Sequence, residues 1–441
     1  MFSFVQNWFN ASSNPIGVDF GSDCLRMAQV EESDNEHRLV AAGSADVPPH
    51  VRNEPLAKFN FFCDTARDLL AQGGFRGRRV RLNLPASLMH IQHLRLPKMD
   101  EEALKKALPW ECRGKFPFDP SQALIRHLIA GEIYHDQEPK FEIVAMAARR
   151  DLVDQYLAAA AKARLDVVGM TVEPMAVADC FSHIFRRKQD TEIATLFVDI
   201  GCTATRTMIA KGGKIQFARV IPIGGEHFSR AVASALQISL DQSRLLRIKL
   251  AELPLIGPAI EAPVPASPAA APASASNDGG GFALLTAAVS AGQKQATPAP
   301  TSAAAPQPAP AVAEPIAPRP AEPAGDVPTT DRQRVEQACR EPLTRLIEEL
   351  ALCRRYYEAT FPNQPVQRLI FIGGEAHQRA MCQQIARGLG VAANVGDPLA
   401  RLSKATDVGI ESGIDRRSPQ PAWTVALGLT LGAAVAEEVV K

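Results

Sequence analysis

Two stretches of the chain repeat the same residue types at the same spacing. "IGVDFGSDCLRMAQV" (16–30) carries Asp19-x-Gly21-Ser22, and "LFVDIGCTATRTMIA" (196–210) carries Asp199-x-Gly201-x-Thr203. Each reads as a strand, an acid-glycine turn and a second strand. A single such turn is weak grounds for a phosphate loop, because an acid beside a glycine after an apolar run is a common corner. A second copy about 180 residues later is far more specific and points to two related lobes facing each other. A third element, "RLIFIGGEAHQRAMCQQIARGLGV" (368–391), reads as an apolar strand, a Gly373–Gly374 turn and a helix. That arrangement brings backbone N–H groups and a helix N-terminus close to a ligand.

The elements that must position these turns alternate strand and helix. "HRLVAAGSADV" reads as a strand and "LAKFNFFCDTARDLLAQGG" as a helix capped by Gly73–Gly74. A β-rich block follows, roughly 76–165. In it "RRVRLNLP" sets Val80, Leu82 and Leu84 on one face, and "SLMHIQHLRLP" is a further strand. "DEEALKKALPWECRGKFP" opens with acids and reads as a helix kinked or broken at Pro109. "ALIRHLIAGEIY" and "KFEIVAMAARR" are two more strands, and "DLVDQYLAAAAKARL" is a helix. Beyond it, "TLFVDIG", "ATRTMIA" and "KIQFARVIP" form three strands, the last two joined by a "KGG" turn. The terminal "AWTVALGLTLGAAVAEEVVK", interrupted by Glu437 and Glu438, reads as a last buried helix rather than a membrane span.

Composition excludes several classes. The 441 residues are 46% hydrophobic and 22% charged, and 48 basic residues cancel 48 acidic ones, so no basic field argues for nucleic acid. The eight cysteines show no C-x-x-C spacing and read as reduced thiols in a cytosolic protein. The start "MFSFVQNWFN" has no basic n-region and is not a signal peptide; it reads as a loosely docked terminus, or as a weakly lipid-binding segment. From Pro258 to Pro328 the chain is mostly Ala and Pro, the composition of a disordered linker, with one apolar island at 279–292. His90 and His93 in "HIQH" point to opposite faces of a strand and do not read as a metal pair. Trp110 and Trp423 read as core.

With the two Asp-x-Gly hairpins and the strand–Gly-Gly–helix in this order, the chain resembles the PilM family. These are cytoplasmic actin-like assembly proteins of the type IV pilus, themselves similar to FtsA. The resemblance also runs through "VRLNLPASLMHIQHLRLPKMDEEALKKAL", "FPFD", "FEIVAMAARRDLVDQYLAAAAKARLDVVGMTVEP", "FARVIPIGGEHFSRAVASAL", "CRRYYEATFPNQPVQRLIFIGG" and "AWTVALGLTLG". It implies a two-lobed α/β fold of the actin/hexokinase/FtsA type with an inserted SHS2-type (1C) subdomain and a disordered Ala/Pro-rich linker. On that reading residues 1–75 and 166–190 form lobe 1 (subdomain 1A), 76–165 the insertion, 191–257 and 329–441 lobe 2 (subdomains 2A and 2B), and 258–328 the linker.

The resemblance further implies ATP and Mg²⁺ between the lobes. Asp19 and Asp199 would reach the ion through its waters, since Mg²⁺ keeps much of its hydration. Gly21, Ser22, Gly201 and Thr203 would donate to phosphates, Gly224 and Gly225 would line the nucleotide, and Gly373 and Gly374 would let adenosine lie against the backbone. Arg26 stands where family members usually carry Lys. The lobe-two helix "ISLDQSRLLRIKL" offers Gln242, Ser243, Arg244 and Arg247 in place of the usual Glu and Lys. Glu173, in "TVEP", reads either as a water-activating residue or as an acid at a helix start. The implied partner is the N-terminal tail of a bitopic PilN-like membrane protein, at the cytoplasmic face of the inner membrane, beside other type IV pilus assembly components. Two alternatives are a small-molecule kinase of the same superfamily, which would need an Asp base in the cleft, and a type II secretion scaffold. The latter normally continues into a transmembrane helix, whereas this chain stops at Lys441.

Overall fold

The apolar run before the first turn is strand β1 (Ile16–Phe20), buried along its whole length. The computed structural model describes residues 14–33, 36–52, 54–85, 88–135, 138–252, 329–403 and 414–432; apart from 329–332 they form one compact unit. The apolar start 1–10, the Ala/Pro segment with its island 279–292, and 433–441 lie outside the described residues. Strand β1 pairs antiparallel with β2 (Cys24–Ser33), which pairs with β3 (Glu36–Asp46). Helix α1 (Pro55–Gln72) starts on Pro55 and stops at Gly73, whose N–H donates to the Leu69 carbonyl. Strand β4 (Arg79–Leu84) then pairs parallel with β1 on its other side.

An insertion follows, of β5 (Met89–Pro97), α2 (Glu101–Glu111), β6 (Ala123–His135) and β7 (Glu138–Arg149), in sheet order β5-β7-β6. Alternation along β7 gives the sheet two apolar faces. Phe141, Ile143, Ala145 and Ala147 meet Leu104 and Leu108 of α2, while Val144, Met146 and Ala148 join the core around the second sheet. Helix α3 (Arg150–Lys162) leads to β8 (Asp166–Val172), which pairs parallel with β4, and to the short α4 (Glu173–Cys180).

The second sheet repeats the plan of the first. Strand β9 (Ala194–Ile200), again wholly buried, pairs antiparallel with β10 (Thr205–Lys211), which pairs with β11 (Lys214–Ile221). Helices α5 (Gly225–Leu236), α6 (Leu240–Glu252) and α7 (Thr329–Thr360) precede β12 (Val366–Ile372), parallel to β9. Then come α8 (Arg379–Leu389), β13 (Ala393–Val395), β14 (Leu402–Ser403) and α9 (Thr424–Leu431). The sheets run β14-β3-β2-β1-β4-β8 and β11-β10-β9-β12-β13.

Three placements differ from the sequence reading. "RRVRLNLP", read as part of the separate block, is β4 of the first sheet; its Val80 and Leu82 pack with Ile16, Val18 and Phe62. Strand β14 and α9, read with lobe 2, return to the first sheet: β14 pairs with β3, and Val30 N–H donates to Thr430 Oγ1. Strictly apolar segments say that they are buried but not against what. Trp110, read as core, is exposed under the Arg113 guanidinium, 3.8 Å above its ring. It lies two residues past the buried Leu108 and so on the opposite side of α2. Trp423 is buried as expected, α2 continues two residues past Pro109, and all eight cysteines are free thiols.

His90 and His93 do take opposite faces. His90 meets Phe118, whereas His93 stacks on Phe217 of β11 with ring centroids 4.7 Å apart. His93 Nδ1 lies 3.1 Å from the fully buried Glu142 carboxylate, which also accepts from Tyr356 Oη at 2.7 Å and Arg95 Nε at 3.2 Å. This network docks the insertion on α7 and β11. Burial opposes the Glu142 charge, but His93, Tyr356 and Arg95 outweigh it and hold the carboxyl below its ordinary range. Its contribution is therefore present above the unfolded value near 4.5 and fades as pH falls below that value. Glu142→Ala is expected to cost about 3 kcal/mol at neutral pH in urea unfolding, because its partners are left unpaired, with the deficit shrinking in acid.

Candidate functional site

The two hairpins end at one place. Asp19 and Asp199 are the next-to-last residues of β1 and β9, and both carboxylates are buried. In the turns, Gly21 N–H donates to the Cys24 carbonyl and Gly201 N–H to that of Ala204, each at 3.0 Å. The tips touch: Ser22 Oγ and Thr203 Oγ1 are 3.0 Å apart, and Arg244 of α6 reaches across to Asp23 at 2.9 Å.

Facing each acid across its hairpin is an arginine. Asp19 is the β-partner of Arg26, and Asp199 of Arg206. Arg206 Nη2 donates to Asp199 Oδ1 and Nη1 to Glu173 Oε1, both at 2.8 Å. Asn83, at the end of β4, donates from Nδ2 to Glu173 Oε1 at 3.2 Å and to Asp19 Oδ1 at 3.1 Å. One chain of bonds thus joins β1, β4, α4, β9 and β10. Three of its buried atoms, Asn83 Oδ1, Glu173 Oε2 and Arg206 Nε, have no partner among the described residues, so the cluster can still engage something polar.

Burial pushes the Glu173 carboxyl up to about 8, against the pull of Arg206, and the Asp199 and Asp19 charges add to the rise. Burial likewise raises Asp19, although Arg26, Arg206 and Asn83 pull it down. For Arg206, burial works against the charge, but Asp199 and Glu173 more than offset it and hold the guanidinium above its ordinary value. Glu173 is therefore a largely neutral acid at the start of α4 near pH 7, the protonation state opposite to that of a base for water.

The glycines sit close by, with their amides engaged. Gly225 N–H donates to the Gly201 carbonyl at 2.9 Å, Glu226 N–H to that of Cys202 at 2.7 Å, and Gly224 N–H to His227 Nδ1 at 3.1 Å. Gly373 has φ +87° and donates to the Pro421 carbonyl; a Cβ there would lie 2.2 Å from Asp199 Oδ1. Gly374 faces open space. It opens a 3₁₀ turn (Gly374–His377), so α8 starts later than the sequence suggests. Arg247 is turned inward, donating to the Gly225 carbonyl, Ser229 Oγ and Glu375. Ser243 Oγ donates to the Leu240 carbonyl, and Gln242 caps its own helix at Ser239.

Sequence reasoning did not single out Asn83, Arg206, Glu375 or the Asp23–Arg244 pair. Arg206 was within reach: "DFGSDCLR" and "DIGCTATR" both place Arg seven residues after the acid.

A triphosphate fits the donors that remain. Ser22 and Thr203 offer hydroxyls, Arg26 lies beside Asp19, and Arg52 and Lys58 lie beside Cys202 and Asp23. A Mg²⁺ held directly by Asp19 and Asp199 does not fit as well. Arg206 already binds Asp199 and Glu173, and among the described residues no group of three His, Cys, Asp or Glu is arranged to hold a metal ion.

The sequence profile of the family described as type IV pilus assembly protein PilM matches residues 17–254, more than half of the chain. A solved PilM-PilN type IV pilus biogenesis complex is similar at 18% identity and TM-score 0.65, covering 95% of this chain and 98% of that one. The ethanolamine utilization protein EutJ from Carboxydothermus hydrogenoformans follows at 12% identity and TM-score 0.45, over 95% of this chain and 89% of that one. Component A of (R)-2-hydroxyglutaryl-CoA dehydratase from Acidaminococcus fermentans reaches 11% identity and TM-score 0.41, over 96% and 98%. These last two likenesses are too loose to bear on function. No curated sequence matches the chain. The fold is the mixed α/β fold of actin-like ATPases.

The Glu173 carboxyl gives this site a pH signature. The folded state keeps a proton that the unfolded chain releases above about 4.5, so stability falls as pH rises from there to about 8, then levels. Glu173→Gln, which cannot ionise, is expected to flatten that decline and to raise Tm by roughly 3 °C at about pH 8.5, measured by calorimetric scans across pH.

Proposed function

The chain belongs to the family of the type IV pilus assembly protein PilM, and from that premise we propose that it is an assembly adaptor that grips ATP between its two sheets and a membrane protein's tail with its insertion. The observation that carries the nucleotide half is the meeting of two Asp-x-Gly hairpins tip to tip, with Ser22 and Thr203 3.0 Å apart. Phosphate oxygens at that junction would be shared by both hairpins, through Ser22, Thr203 and Arg26, with Gly21 and Gly201 shaping the turns. Gly373 and Gly374 would border the nucleoside, while Gly224, Gly225 and Arg247 brace the wall behind it. What ATP supplies when bound is a polyanion that both hairpins can hold at once.

The similar solved structure is a PilM-PilN complex. By extension, the partner of this chain would be the N-terminal tail of a PilN-like bitopic protein, which would hold the adaptor at the cytoplasmic face of the inner membrane alongside other pilus components. Among the described residues no helix is long and apolar enough to cross a membrane, so on this reading the partner provides the anchor. The insertion β5–α2–β6–β7 would be the SHS2-type subdomain. Its outer strands β5 and β6 are sheet edges, and an extended tail can add to such an edge through main-chain hydrogen bonds. Composition alone marks 258–328 as a linker within the second lobe.

Isothermal titration of the full chain with a PilN-like tail peptide, with ATP and with both is the test. Micromolar peptide binding, corresponding to about −8 kcal/mol, and a measurable ATP affinity are expected. Failure of the peptide to bind in every condition would remove the adaptor reading.

A further inference from the structure

We propose that the Arg206 guanidinium is a resident counter-cation of the cleft, balancing the buried carboxyl cluster so that a nucleotide polyphosphate enters without a divalent ion. The inference rests on the nucleotide reading above and deepens it.

The geometry carries it. Arg206 lies between two carboxyls on separate elements, Asp199 of β9 and Glu173 of α4, at 2.8 Å from each. Through Asn83 the same network reaches Asp19. These are the acids to which a cation would be drawn, and a guanidinium already spans two of them. A divalent ion ligated directly by Asp199 Oδ1 and Glu173 Oε1 would have to displace Arg206, leaving a buried guanidinium without its carboxylates, which is costly.

Each hairpin sets a guanidinium opposite its acid, Arg26 across from Asp19 and Arg206 across from Asp199. The triphosphate's own charge then meets Arg26 at the junction and groups nearer the tips. Lys58 interacts with Asp23 and Cys202, Arg52 with both Lys58 and Cys202, and Arg244 pairs with Asp23. The fixed fork of arginine suits phosphate oxygens as well as carboxylates. The unpartnered Arg206 Nε, Asn83 Oδ1 and Glu173 Oε2 mark where the cluster can still meet water or a ligand oxygen.

The test has two arms on the full-length chain. The first needs no nucleotide. The melting temperature of the unaltered protein is expected to be the same in EDTA and in millimolar MgCl₂, whereas Arg206→Ala, which leaves the acids facing one another, should gain several degrees from MgCl₂. A similar Mg²⁺ stabilisation of the unaltered protein would overturn the proposal. If Arg206→Ala does not fold, Arg206→Lys, which keeps the charge, should fold and stay insensitive to Mg²⁺; a sensitive Lys variant would count against the proposal. The second arm titrates ATP calorimetrically. Affinities within about twofold in EDTA and in MgCl₂ support the proposal, and a tightening of about tenfold with Mg²⁺, or 1.4 kcal/mol, overturns it. ATP binding in neither buffer would refute the nucleotide reading and the entry step built on it, while the melting arm would still decide whether Arg206 acts as the counter-cation.

Discussion

The constraint on which this structure depends is the burial of carboxylates where two hairpins meet. A lone buried carboxylate is costly in a low-dielectric interior, and it is tolerated only when paired or protonated. Both remedies appear here. Asp199 is paired with Arg206, and Glu173 is pushed toward its protonated form. The pairing is built into the hairpin itself. Antiparallel register sets the residue seven positions after the acid directly opposite it, as Arg26 in the first hairpin and Arg206 in the second. The guanidinium is thus delivered by backbone geometry before any tertiary contact is needed.

What tertiary packing adds is the third acid. Glu173 reaches Arg206 on the second sheet and, through Asn83, Asp19 on the first, and α9 sets how close α4 lies to that first sheet. A Cβ at Gly17 would lie 2.0 Å from the Ala426 carbonyl, and one at Gly428 would lie 1.9 Å from the Ala176 carbonyl. Backbone therefore meets backbone on both sides of α9, against β1 and against α4, and no side chain intervenes to act as a variable spacer. The close approach then fixes where Asn83 at the end of β4 can bridge Glu173 and Asp19. A helix far along the chain thereby determines the geometry at its first turn.

Much of this was legible in the sequence. The two acid-glycine hairpins, the Gly373 turn, the helix capped at Gly73 and the strands of the insertion follow from local chemistry: period-two alternation, glycine where the backbone must bend, and acids at helix starts. Partner choice was not legible. Nothing local to "RRVRLNLP" distinguishes a strand of the insertion from one beside β1, and "AWTVALGLTLG" is apolar on every side, so both cores suit it. Trp110 illustrates the same limit. Its type argues for the core, but its phase relative to Leu104 and Leu108 puts it outside. At the site, Asp19 and Asp199 could be named from their motifs, whereas Asn83 and Glu375 lie within quoted segments that assign them no role and gain their roles only from what the fold sets beside them.

The two hairpins are alike in sequence and unlike in commitment. Arg206 is clasped by two carboxyls and has little freedom to answer a ligand. For Arg26, burial works against the charge, and the summed field of Cys24, Asp19, Asp23 and Asp46 more than offsets it. A group held by a diffuse field can re-aim at modest cost, while one held by two short bonds cannot. On the proposed function, the second hairpin would serve as the fixed anchor of the junction, and the first, with Arg26 and the Ser22 tip, would be the side that responds to a polyanion. Because the tips already touch through Ser22 and Thr203, and Asp23 already pairs with Arg244, a phosphate bound there would exchange contacts rather than create them. The free energy of such engagement would be the difference between two sets of polar bonds, a small quantity that the proposed partner, docked on the insertion, would be well placed to bias.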